Sequence, residues 1–172
     1  LGSWSGGETA FLNNLSNSTG IRIGTVMLAG TIFNLANLLL VGAITIAGMS
    51  IAFPLSIGSA LVIGTVLTYI VDRSGNPKLV FSGVGLATLA IIANSLAYKN
   101  LSNEKVTATR KGLLISIISG VLMGSWSPLT AASMSESALA GIPLTPYSST
   151  VMFAFATLVS TLFFNTYFMK RP

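Results

Sequence analysis

The stretch ITIAGMSIAFPLSIGSALVIG, residues 44–64, decides how this chain folds. In water, a helix carrying Pro54 and glycines at 48, 58 and 64 would break, and nothing in the stretch offers a charged face to solvent. The stretch sits inside a run from Ile23 to Val71 that contains no charged side chain. Of the whole chain, 52% is apolar and only 8% charged, which lies outside the range of ordinary soluble domains. Core helices of a large soluble α protein would keep a polar stripe, and these segments have none. The solvent that suits them is a bilayer.

A membrane-crossing helix takes about 20 mostly apolar residues. The run from Ile23 to Val71 therefore reads as two spans, 21–47 and 50–71, meeting in a turn at Gly48, Met49 and Ser50. Lys78 and Lys99 bound a third span, 79–98; Lys111 opens a fourth, 112–134; the fifth is 147–169. The predicted fold class is all-α, a polytopic transmembrane helix bundle of five spans. Its first partner is the lipid bilayer.

Successive crossings put Lys99, Lys105, Arg110, Lys111, Lys170 and Arg171 on one side of the membrane and Arg22, Arg73 and Lys78 on the other. The positive-inside bias makes the six-charge side cytoplasmic, with residues 1–20 and the loop 135–146 outside and 99–111 inside. The net charge of +5 is then a topology signal, and no basic stripe with interleaved aromatics points to nucleic acid. Tyr69, Tyr98, Tyr147 and Tyr167 all fall near span ends, where an amphipathic ring suits the headgroup layer. The same anchoring role suits Asn165.

The chain has no cysteine and no histidine, and its four acids, Glu8, Asp72, Glu104 and Glu136, all lie outside the middle of a span. No metal site, Ser-His-Asp triad or intramembrane carboxylate dyad can be assembled from it, so an enzyme is not expected and neither is a cofactor. The Gly83-Val84-Gly85 triplet lacks the spacing of a phosphate loop and sits inside an apolar span. The polar opening LGSWSGGETAFLNNLSNSTG and an end directly after a span read as an excerpt from a longer membrane protein.

The uncharged polar residues inside the spans carry the remaining information. Gly30, Asn34, Asn37 and Val41 recur at helical spacing, so both amides fall on one face, either as interhelical glue or as the lining of a solute pocket. Pro54 is expected in the first turn after the hinge, where its missing N–H would go unused anyway. Gly58, Thr65 and Thr68 follow along that side, with Ser56 and Ser59 flanking it. That face permits close packing or lines a polar cavity. Gly120 and Gly124 form a GxxxG pair, and Trp126 stands next to a proline kink at Pro128 between Ser125 and Ser127. That tryptophan reads as an interfacial anchor or as a stacking face for a ring-shaped solute.

Three stretches, LGSWSGGETAFLNNL, FNLANLLLVGAITIAGMSIAFPLSIGSALVIGTVLTYIVD and GNPKLVFSGVGLATLAIIANSLAYK, resemble the ureide permease and bacterial glucose/rhamnose-type branch of the drug/metabolite transporter superfamily. The matching elements are Leu1, Gly2, Ser3 and Phe11 in the outer loop, Asn34 to Asn37 in the first span, Val62 to Thr65 with Tyr69 in the second, and Asp72 after it. The resemblance implies ten helices in two inverted five-helix repeats, of which this chain would hold helices three to seven. On that register 1–98 closes the first repeat, 99–111 is a cytoplasmic connection, and 112–172 opens the second. The short 99–111 loop carries no nucleotide-binding-like motif.

The resemblance further implies a secondary transporter in a bacterial inner membrane. Its solutes would be small neutral metabolites such as sugars, ureides or nucleobases, with protons as the candidate coupling ion. The residues expected to contact solute are Asn34, Asn37, Ser56, Ser59 and Trp126. Gly48, Pro54, Gly58, Gly120, Gly124 and Pro128 are expected to act in hinges and packing. Further partners are the remaining helices of the same protein. With Asp72 the only acid near these spans, a proton carrier would have to lie in those helices. A non-transporting scaffold or complex subunit is the alternative from another class.

Overall fold

The computed structural model describes residues 11–71, 73, 75–101 and 109–170, with the backbone alone at 95, 98–101, 168 and 169. Asp72, Glu104, Lys105, Arg171 and the opening Leu-Gly-Ser element with Glu8 lie outside the described residues, as do the side chains of Tyr98 and Lys99. The described chain forms α1 (Phe11–Asn17), α2 (Gly20–Ala47), α3 (Met49–Val71), α4 (Pro77–Leu101), α5 (Arg110–Met134) and α6 (Pro146–Met169). Helices α2 to α6 are each long and apolar enough to cross a bilayer, as read from the sequence, and the chain is an integral membrane protein on that ground. At ~1.5 Å per residue α2 is about 42 Å long, more than the ~30 Å of hydrocarbon it must cross.

The turn between α2 and α3 is shorter than expected. Gly48 alone makes it, with φ 77° and ψ 155°, a conformation open essentially to glycine. Its N–H donates to the Ile44 carbonyl at 2.9 Å to finish α2, and its carbonyl accepts from Ala52 at 3.0 Å to begin α3. Met49 and Ser50 are already helical. Pro54 consequently lies inside α3, one turn deeper than the first-turn position predicted for it. There it deprives the Ser50 carbonyl of its helical donor, and α3 continues because its neighbours hold it.

Two further expectations are corrected. Part of the opening loop is the short helix α1, and Arg22, counted among the charges on the outer side, lies in α2 within the expected span but is fully buried. At the start of α6 the Thr145 hydroxyl accepts from the Ser148 N–H at 3.3 Å with Pro146 in the first turn, the usual chemistry of a helix N-terminus.

Helix α5 lies in the cleft between α2 and α3 and packs extensively on both. Helix α6 rests on α2 and barely touches α5, while α4 rests on α3. The buried positions of α5 are Gly112, Ser116, Ser119, Gly120, Gly124, Pro128 and Ser133, whereas its Leu114, Ile117, Ile118 and Val121 are exposed. This is the reverse of a soluble core. Lipid solvates large apolar side chains as well as protein does, so small residues that let backbones approach take the interior. Tyr69 of α3 meets Phe81 of α4 edge-on at 5.5 Å, and Tyr147 meets Phe11 at 6.1 Å.

Candidate functional site

Phe33 and Asn34 stand at the midpoint of α2, half-way along the longest span. The buried Asn34 Nδ2 donates to the Ser160 hydroxyl of α6 at 3.1 Å, and Ser160 donates in turn to the Thr157 carbonyl at 3.0 Å. One turn earlier, a Cβ on Gly30 would sit 2.6 Å from the Phe153 carbonyl oxygen, so glycine is what lets α2 and α6 meet backbone to backbone. Thr157 Oγ1 donates to the Gly30 carbonyl across the same contact at 3.3 Å.

Asn37 behaves differently from Asn34. Its Nδ2 turns back to the Phe33 carbonyl of its own helix at 2.8 Å, and the residue is only half-buried. Val41, the last member of that stripe, is 59% exposed. Beyond Asn34 the buried side of α2 passes to Ala36, Leu40, Ala43 and Ala47. The Ala36 carbonyl accepts from Ser119 of α5 at 2.8 Å. The stripe read from sequence thus follows the α6 contact to Asn34 and then leaves it.

Trp126 of α5 closes a three-ring cluster. Its centroid lies 5.6 Å from that of Phe33 and 5.2 Å from that of Phe153, and the two phenylalanines are 5.5 Å apart, all in tilted or edge-on geometry. The cluster joins α2, α5 and α6 beside the Asn34–Ser160 pair. The buried Pro128 follows within the same turn and takes the helical donor from the Gly124 carbonyl, which faces Gly64 of α3.

Ser56 and Ser59 belong to a second seam, between α3 and α5. Ser56 Oγ donates to the Ser116 carbonyl at 2.8 Å, and Ser59 Oγ donates to the Leu55 and Ser56 carbonyls of its own helix at 2.6 and 3.1 Å. A Cβ on Gly120 would collide with Ser59 Oγ and lie 2.6 Å from the Ser56 carbonyl. One on Gly124 would lie 2.8 Å from that of Ala60. Gly58 faces away from this seam, toward Ile91 of α4. Further along, Thr68 Oγ1 and Ser127 Oγ lie 2.9 Å apart.

Of the five residues expected to contact solute, Asn34, Asn37 and Trp126 are linked through Phe33, and Ser56 and Ser59 stand apart from them. A separate cavity of about 220 Å³ opens between α3 and α4, lined by Met49, Phe53, Pro54, Ile57, Ile91 and Asn94. Of the residues expected to contact solute or to act in hinges and packing, only Pro54 lines it. Phe33, Phe153 and Ser160 were not singled out. Phe33 adjoins Asn34 in the chain, which was the available signal; Phe153 and Ser160 join the site only through the α2–α6 contact.

Among the described residues no group of three His, Cys, Asp or Glu side chains could hold a metal ion. Comparison of the chain with protein-family models, curated proteins and solved structures gives no match.

Proposed function

We propose that the chain is part of a secondary transporter that carries small neutral polar metabolites, such as sugars, ureides or nucleobases, by alternating access. The observation that carries the reading is the meeting of Trp126, Phe33 and Phe153 with the Asn34 amide at the middle of a span. Aromatic faces stack on a ring-shaped solute, and an amide supplies both a donor and an acceptor to it. A transporter site is expected near the midplane, where interrupted helices meet. Pro128 removes one helical bond from α5 beside the cluster, while Gly48 and Pro54 lie toward the α2–α3 turn, away from it.

Uncharged groups in the site suit a neutral solute, since a charged one would call for a buried counter-charge. On this reading the five helices belong to a ten-helix inverted-repeat carrier in a bacterial inner membrane, with residues 99–111 cytoplasmic. The resemblance in sequence and the asymmetry of Lys and Arg support that register. Any proton coupling would use acids outside these spans. The reading is of a carrier and not of an enzyme.

A specific observation favours the rival scaffold reading. Among the described residues, every buried side-chain nitrogen and oxygen already has a protein partner. A carrier exchanges such bonds with its solute, whereas a scaffold keeps them. Uptake into proteoliposomes distinguishes the two, with a sugar, a nucleobase and a ureide each offered with and without a pH gradient. The carrier reading expects uptake of one class, lost in Trp126→Ala and Asn34→Leu while the protein stays folded. Flat uptake of all three supports the scaffold.

A further inference from the structure

Arg22 is 0% exposed, and among the described residues no acid meets it. Among the described residues its guanidinium is held by backbone carbonyls: Nε donates to Ala140 at 3.1 Å, Nη1 to Ser133 at 3.0 Å and Ser135 at 2.7 Å, and Nη2 to Leu139. Glu136 lies in the same loop, exposed, and forms no ion pair with it. The Ser133 and Ser135 carbonyls belong to the end of α5, where the helix dipole favours a cation. Those of Leu139 and Ala140 belong to the connection to α6. One planar fork therefore fastens the start of α2 to the end of α5 and to the loop beyond it.

The rest of that loop is tied to the same corner. Asn14 of α1 donates to the Pro143 carbonyl at 3.3 Å and accepts from the Thr145 N–H at 3.1 Å. Ser18 and Ile142 form an isolated parallel bridge, and the Leu144 N–H donates to the Ser133 carbonyl at 3.1 Å. Gly141 crosses Thr19 with φ +88°, and a Cβ there would collide with the Thr19 side chain. Residues 135–145 are thus a strap folded over one end of the bundle, with Arg22 at its centre.

The chemistry of the cage bears on how the strap works. A buried cation is costly unless its donors are satisfied, so the carbonyls must gather round it to close this end. Among the described residues the cage is made of carbonyls and holds no carboxylate, so withdrawing the guanidinium leaves no unpaired anion among them. The carbonyls of Ser135, Leu139 and Ala140 are at a helix end and in a loop, where water can reach them, and the buried Ser133 carbonyl keeps the Leu144 N–H. Closure is therefore specific, and release costs less than breaking a buried ion pair would.

We propose that Arg22 is the pin of a closable strap: seated in its carbonyl cage it shuts the end of the bundle formed by α1, the start of α2 and residues 135–145, and its withdrawal opens that end. Use of the opening to admit solute rests on the carrier reading; the pinning of the strap does not.

Hydrogen exchange on the protein in lipid nanodiscs tests the pin. In Arg22→Gln the amides of 135–145 should exchange about tenfold faster or more, as loss of charge-assisted bonds implies. Those of 112–124, in the α3–α5 seam, should stay within about twofold of wild type. Gly141→Ala, which leaves the cation in place, should loosen the same loop from its other side and carries the test if Arg22→Gln does not fold. A strap unchanged in both variants overturns the proposal, as does equal acceleration in 112–124, which would make Arg22 a general support of the fold.

The natural absence of cysteine permits a second arm, the pair Ser18→Cys and Ile142→Cys, oxidised to hold the strap shut. Uptake lost on oxidation and restored on reduction supports the gate. Equal uptake in both states overturns the gate and leaves the carrier standing. No uptake by the unaltered protein removes the carrier and the gate together, and the exchange experiment still decides the pin.

Discussion

Helices α4 and α5 are each 25 residues long, both apolar and both rich in small residues, yet they occupy opposite positions in the bundle. Helix α5 is wedged between two neighbours, whereas no residue of the apolar window of α4 is buried. The difference lies in spacing. Gly112, Ser116, Gly120, Gly124 and Pro128 recur every four residues and make one continuous stripe, all of it buried. Gly83 and Gly85 of α4 are two residues apart, so they fall on nearly opposite sides of the helix, and a Cβ on either would meet no other helix or side chain within 4 Å among the described residues. In lipid, apolar character does not select a partner; a stripe that admits another backbone does.

The largest expected effect breaks that contrast at its tightest point. Gly120→Leu would drive a side chain into Ser59 and the Ser56 carbonyl, and should destabilise the bundle by about 3 kcal/mol or more. The same change at Gly85 meets open space and should stay within about 0.5 kcal/mol of wild type. Reversible unfolding in detergent micelles measures both. Equal losses at the two positions would show that spacing does not set the packing.

Next in size is the aromatic cluster, which holds α5 to the α2–α6 pair away from the stripe. Trp126→Ala should cost about 3 kcal/mol. A double-mutant cycle of Trp126 with Phe153 should return a coupling of about 0.5–1.5 kcal/mol. No coupling would mean that the rings are neighbours without mutual stabilisation.

Single hydrogen bonds across the seams should matter less. Ser56→Ala removes one bond to the Ser116 carbonyl and is expected to cost about 0.6 kcal/mol, the average for such bonds in membrane helices. Asn37→Leu loses only a bond within its own helix and should cost less than Asn34→Leu, which removes the α2–α6 bond to the buried Ser160 hydroxyl and leaves it only its bond to Thr157. A ranking in the reverse order, read from the same unfolding measurement, would move the key amide of α2 from 34 to 37.

The smallest effect belongs to the α4 wing. Phe81→Ala loses the edge contact with Tyr69 and should loosen α4 by no more than about 1 kcal/mol while α2, α3, α5 and α6 keep their stability. Exchange of α4 amides, compared with those of α5, would register it. Loss of the whole bundle would give α4 a part in the core that its exposure denies.

Much of this was legible in the chain. The five spans follow from uncharged runs bounded by lysines and arginines, because the length that crosses hydrocarbon is fixed by the bilayer. Gly48 as the turn, and Gly120 with Gly124 as a close contact, follow from side chains that only glycine can do without. Pro54 was placed one turn too early, since a proline states that a helical bond is missing but not how far back the helix began. The candidate site was half legible: Asn34 and Trp126 stand out as a buried-type amide and a large ring in apolar runs, while Phe153 resembles any lipid-facing phenylalanine until α6 is laid on α2.

Arg22 marks the division between the two kinds of information. By itself the sequence determined that the chain lives in a bilayer and where each helix crosses it, because solvation of a segment depends on its own composition and length. Only the tertiary structure decided which helix meets which, and so turned an arginine that reads as a topology charge at the end of a span into a buried cation caged by carbonyls. The four acceptors lie more than a hundred residues along the chain and are backbone atoms, which every residue type carries. Their convergence on one guanidinium exists only once α2, α5 and the strap have packed together.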